Sequence, residues 1–156
     1  MSKTIKFYLI FTLLHFVFAQ STSAMTIEDG KQAFQNYVKY SNACNRNLIG
    51  MYDKNSSIKR IVINKDGSSY IKILPVGMYK TMLLGYSKAA LLQGYSNVYT
   101  NVSFYQCGDD VMVKALRHPS TSRERLPATI VFHQNAAGNI VIKEEIFHTN
   151  ASFLLK

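Results

Sequence analysis

From Val98 to Thr149 the chain carries four β-rich runs divided by short turns. Val98 to Gln106 and Val111 to His118 flank Gly108-Asp109-Asp110. Leu126 to Gln134 and Ile140 to Thr149 flank Asn135-Ala136-Ala137-Gly138-Asn139. Runs of this kind parted by Gly- and Asn-bearing turns read as antiparallel hairpins, so this part of the fold is a sheet whose apolar face needs a cover. Strict alternation places Ile140, Ile142, Glu144, Ile146 and His148 on one face of the last strand, and Val141, Lys143, Glu145 and Phe147 on the other. His118 to Pro127 reads as a polar loop with two prolines.

The cover comes from the earlier residues, where the period changes. Thr26 to Asp29 has the shape of a capping box, a hydroxyl at the helix start and a carboxylate three residues on. Phe34, Tyr37, Val38 and Ser41 follow at helical spacing. Asn45-Arg46-Asn47 interrupts, and Leu48, Ile49, Met51 and Tyr52 suit a short second helix. Ile58 to Ile63 and Tyr70 to Leu74 are β-rich and flank Asn64-Lys65-Asp66-Gly67, a hairpin signal. Met78 to Leu92 returns to helical periodicity and stops at Gly94. Its aromatics, with Tyr95, Tyr99, Phe104 and Tyr105, are expected in the core and lining a cavity. The order helix, helix, hairpin, helix, then long strands predicts an α+β fold.

The first residues read as an export signal. Lys3 and Lys6 precede an apolar run from Phe7 to Phe18, and Ala19 or Ala24 ends a small-residue cleavage pattern. The run is too short for a span of roughly 20 helical residues, so residues 1–24 are expected to be removed, leaving 25–156 as one domain with no integral membrane segment, periplasmic or secreted. In an oxidising compartment Cys44 and Cys107 are expected to pair. The sequons at Asn55, Asn101 and Asn150 bear glycans only if the source is eukaryotic. Losing Lys3 and Lys6 lowers the formal charge from +9 to +7. The basic residues concentrate only at Lys59-Arg60 and Arg117 to Arg125, not along the stripe that nucleic acid requires, so no nucleic-acid partner is expected. His118, His133 and His148 lack metal-ligand spacing, no phosphate-cradling or dinucleotide motif is present, and neither metal nor cofactor is expected.

The stretch Tyr37 to Arg60, with Asn42-Ala43, Leu48 to Tyr52 and Ser56 to Arg60, together with the turn from Asn135 to Val141, resembles the NTF2-like superfamily, the cone-shaped fold of ketosteroid isomerases and SnoaL-like proteins. The resemblance covers most of the chain after the signal. It implies a curved antiparallel sheet wrapped around three helices and a cavity approached by three isomerase positions. These fall at Tyr37, Arg60 and Ile130, where the isomerases have a tyrosine donor, an aspartate base and a second, protonated aspartate. Arginine cannot take the base's proton and isoleucine cannot donate to an oxyanion. The expectation is therefore an exported, non-catalytic binding or interaction module, with Tyr37, Arg60 and Ile130 as candidate cavity residues for a small hydrophobic or anionic molecule. The alternatives are an enzyme of the same fold with a different constellation, and an envelope-complex or toxin-neutralising partner protein. The resemblance also implies a homodimer, with Val141 and Phe147 buried and Lys143 opposed to Glu145 across the two-fold axis.

Overall fold

The computed structural model describes residues 24–150; residues 1–23, which hold all but the last residue of the export signal expected at 1–24, and the last six residues lie outside them. Helix α1, Ile27–Asn42, starts on the expected capping box: the Thr26 hydroxyl accepts from the Asp29 backbone N–H, and the Asp29 carboxylate accepts from that of Thr26. Gly30, Ala33, Phe34 and Tyr37 form its buried face. A short α2, Asn47–Gly50, delivers the chain to β1, Tyr52–Ile63, so Tyr52 opens a strand rather than ending a helix. Strand β2, Ser69–Leu74, returns through a turn in which Gly67 holds φ +84°, a conformation glycine adopts without steric cost. Helix α3, Val76–Leu92, follows Pro75, and then come β3, Asn97–Cys107, β4, Asp110–Pro119, β5, Leu126–Gln134, and β6, Ile140–Asn150.

The six strands form one sheet in the order β2-β1-β6-β5-β4-β3. All neighbours are antiparallel except β1 and β6, which run parallel, so the sheet is mixed. It curves around the helices as an open cone with free edges at β2 and β3, and the fold is α+β as expected. The core is the concave face: Ile58, Val113, Ile130, Phe132, Ile142 and Phe147 pack beneath Phe34, Tyr37 and Leu48.

Three sequence expectations are corrected here. First, strict alternation fails on β6. Val131 of β5 pairs with Glu144, but Phe132 pairs with Ile142, so Lys143 is the extra residue of a β-bulge. A one-residue slip exchanges the faces of everything beyond it. Ile142 before the bulge and Glu145, Phe147 and Thr149 after it are all buried. Glu145 is therefore not available to meet Lys143 of a second copy. Lys143 instead pairs with Asp110 of its own chain, Nζ to Oδ2 2.6 Å.

Second, Cys44 and Cys107 are free thiols. Cys44 follows the C-terminal end of α1. Cys107 ends β3, whose Gln106 donates to the carbonyl of Met25 at the other end of that helix. A 16-residue helix is about 24 Å long, far beyond the reach of a disulfide.

Third, α3 is apolar on every side and contributes no fully buried residue. Met78, Met82, Leu84, Tyr86, Leu91 and Leu92 are exposed, as are Tyr70, Ile71 and Ile73 of β2 and Tyr105 of β3. Of the aromatics expected in the core and lining a cavity, Tyr105 is thus on the surface, and Tyr86 is exposed rather than in the core. Among the described residues no helix is long and apolar enough to cross a membrane.

Candidate functional site: a carboxylate bound by four donors beside a cationic cavity

The bulge in β6 places one acid in the floor of the cone. Glu145 is fully buried, and its two oxygens accept four hydrogen bonds. Oε2 takes the hydroxyls of Tyr37 at 3.1 Å and Tyr52 at 2.5 Å. Oε1 takes the Arg60 guanidinium at 2.6 Å and the Tyr79 hydroxyl at 3.2 Å. The donors come from α1, β1 and α3, so one carboxylate ties both long helices to the sheet. A carboxylate offers about four lone-pair sites, and all of them are engaged.

The environment is low in dielectric and negative at its centre, and the tyrosines respond to both. Burial, then the charge of Glu145, pushes the Tyr37 and Tyr52 hydroxyls well above their ordinary range. The same two causes push Tyr79 up to about 12. For Arg60, burial acts to release its proton, but Tyr79 and Glu145 outweigh it and hold the guanidinium more firmly protonated than usual. Its charge also faces two rings, 5.1 Å from the Tyr79 centroid and 5.0 Å from that of Phe147, within the range of cation–π attraction.

A second guanidinium, Arg117 of β4, also meets Phe147, 4.8 Å from the ring centroid. Arg117 is 8% exposed. Its Nη1 donates to Asn97 Oδ1 at 3.0 Å, its Nη2 lies 3.3 Å from the His148 carbonyl, and its Nε has no partner. Asn97 is fixed by a two-way clamp with Asn42, whose side chain donates to the Asn97 carbonyl and accepts from its N–H. Among the described residues no carboxylate lies within ion-pair distance of Arg117. A buried cation without a counter-ion is costly, unlike Arg60, whose pair is complete.

Both arginines line a cavity of about 340 Å³ between α1, α3 and the concave sheet, with Tyr37, Tyr79, Asn97 and Phe147 in its wall. Among the described residues no Asp or Glu lines it. Of the residues singled out from sequence, Tyr37 and Arg60 meet here through Glu145, whereas Ile130 is buried in the core and is not part of the wall. His133 is not a free surface histidine: its Nδ1 lies 2.7 Å from Asp110, on the carboxylate shared with Lys143. Among the described residues no cluster of His, Cys, Asp and Glu is arranged to hold a metal.

Sequence reasoning missed Glu145 and Arg117. A signal for the first was present. The basic pair Lys59-Arg60 on one strand is matched by the acidic pair Glu144-Glu145 on its neighbour, with Lys59 against Glu144 on one face and Arg60 against Glu145 on the other. Arg117 lies in the strand expected at Val111 to His118, but only its place in a local basic concentration was legible; it lines the cavity.

Comparison with solved structures shows that the chain has the NTF2-like fold. An NTF2-like protein with a cystatin-like fold from Novosphingobium aromaticivorans superposes with a TM-score of 0.56 at 10% identity, over 95% of this chain and 90% of that one. An NTF2-like protein from Cytophaga hutchinsonii gives 0.54 at 11%, over 80% and 99%. A protein of unknown function from Pectobacterium atrosepticum gives 0.58 at 12%, over 78% and 88%. At such identities the likeness concerns the fold, which many functions share. No family model matches the sequence, and no curated protein matches it.

Proposed function

We propose that this chain is an exported NTF2-like binding module, periplasmic or secreted, that holds a small anionic molecule in its cone cavity without transforming it. Arg117 carries the reading. A guanidinium buried in a cavity wall, with one donor unused and no carboxylate beside it, is complemented by an anion that brings its own negative charge. Arg60 and Tyr79 flank the same space. The non-catalytic part is supported by Glu145: the one acid at the site has its four acceptor positions occupied and does not line the cavity, so it offers no lone pair to a substrate proton.

The test is a thermal-shift series of small carboxylates, each paired with its neutral amide. Carboxylates are expected to raise the melting temperature and amides to leave it unchanged, and Arg117→Gln to abolish the difference. Equal responses to both would remove the anion. Turnover of a steroid-like enone that is lost in Tyr37→Phe would instead make the chain an enzyme.

A second reading, a protein partner, is favoured by one separate observation: the exposed apolar side chains of Tyr70, Ile71 and Ile73 on β2 and of Met78, Leu91 and Leu92 on α3, none of which lines the cavity. It concerns the outside of the cone and is compatible with a filled cavity.

A further inference from the structure

A second cavity adjoins the first. It measures about 300 Å³ and lies between α2 and α3, lined by Leu48, Ile49, Leu83, Tyr86 and Ala90 with few polar atoms. Ser41, Leu48, Tyr79, Met82, Leu83 and Tyr95 belong to the walls of both cavities. Leu48, Met82 and Leu83 thus stand between the two spaces. Met82 is unbranched and adapts readily to a neighbour. One end of the combined space presents Arg117 and Asn97; the other presents chiefly aliphatic and aromatic carbon, with Arg46 also in its wall.

We infer that the natural ligand is an amphiphilic monocarboxylate, a straight-chain acyl acid whose head meets Arg117 and whose tail runs past Leu83 into the space between α2 and α3. The inference rests on the anionic reading of the cone cavity and adds the tail. A charged head alone leaves the second chamber unused, and a purely apolar molecule leaves Arg117 without a counter-charge. A single carboxylate matches the one buried guanidinium in these walls that lacks an acid among the described residues, since Arg60 is already paired and Arg46, in the wall of the second chamber, is exposed. Each chamber is at the lower end of the ~300–1,000 Å³ usual for small-molecule sites, whereas together they accommodate an extended chain.

The experiment is calorimetric titration of the chain with acetate, butanoate, hexanoate and octanoate, with octanamide as the uncharged control. Affinity is expected to rise along the series by up to about fourfold per added methylene and to be weak for octanamide. Arg117→Gln is expected to weaken every acid by about tenfold or more, while keeping the dependence on length. Ala90→Trp fills only the second chamber and is expected to leave butanoate binding unchanged and to erase the gain at octanoate. Ala90→Leu, a smaller intrusion, serves if the first variant does not fold by circular dichroism. Equal affinity for butanoate and octanoate, still dependent on Arg117, would overturn the tail and leave the anion site standing. Binding of no acid at all would overturn both. A length dependence that survives Arg117→Gln and Ala90→Trp together would place the chains on the exposed face of α3 and overturn the inference.

Discussion

Arg60 and Glu145 stand on neighbouring parallel strands with Nη2 and Oε1 2.6 Å apart, and the carboxylate is completely withdrawn from solvent. The pair closes a network in which three tyrosines from different elements donate to the same acid. Such a pair need not add net stability over an apolar substitute, but removing one partner leaves a buried charge exposed to low dielectric. Glu145→Gln is therefore expected to lower stability by about 3–5 kcal/mol. The double variant Arg60→Met with Glu145→Leu should recover a substantial part of that loss. Urea denaturation of the three proteins checks both, and a single variant as stable as the parent would show that Arg60 finds another partner.

The same network makes a prediction about alkaline pH. Tyr37, Tyr52 and Tyr79 are held above their ordinary range by burial and then by Glu145; Tyr99 is raised by burial, against the opposing charge of Arg117. In the unfolded chain each phenol ionises near pH 10. Their contribution to stability is thus complete below about pH 10 and is lost as pH rises through the folded values, Tyr79 first at about 12. A spectrophotometric titration should show these four phenols still protonated when the exposed tyrosines have ionised, and released together on unfolding. Full ionisation of every tyrosine in a folded protein near pH 10 would contradict the network.

The elements were legible because their signals are local. The capping box at Thr26, the Gly67 turn and the late hairpins each depend on a few adjacent residues, and each appears where the spacing predicts it. What was hidden depends on a single extra residue. The bulge at Lys143 leaves no mark in composition, yet it decides that Glu145 rather than Glu144 enters the cone. Tyr37 was legible through the family pattern, but its partner was not. Arg117 was hidden for a different reason: in sequence it is one cation near a basic loop, and its meaning comes from the missing carboxylate around it, a property of three-dimensional space. The cysteine pairing was inferred from compartment and number, and the length of α1 overrides both.

The cysteines yield a direct measurement. Cys107 is exposed and Cys44 half-buried beside the apolar chamber. Native protein is expected to react with two equivalents of a thiol reagent, Cys107 faster than Cys44. Cys107→Ser, an exposed change that breaks no bond, should alter stability by no more than about 0.5 kcal/mol, with or without reductant. A loss of about 2–5 kcal/mol confined to oxidising conditions would require a bridge and a different placement of β3 against α1.

Gly30 tests how closely α1 lies on the sheet. It is one of the buried positions of the helix, and a Cβ built there comes within 2.3 Å of Val111 Cγ1 and 2.8 Å of its Cβ on β4. Val111 is β-branched and fully buried, so it has little freedom to turn aside. In an ordinary helix interior, replacing glycine by alanine stabilises by about 1 kcal/mol. Here overpacking opposes that gain by about 1–3 kcal/mol, and the contact is too short for a small adjustment. Gly30→Ala is expected to be destabilising, and Gly30→Ala with Val111→Ala less so than the sum of the single changes, because the second substitution vacates the space the first one fills. Strict additivity in thermal or urea unfolding would mean that helix and strand are not in direct contact at this point.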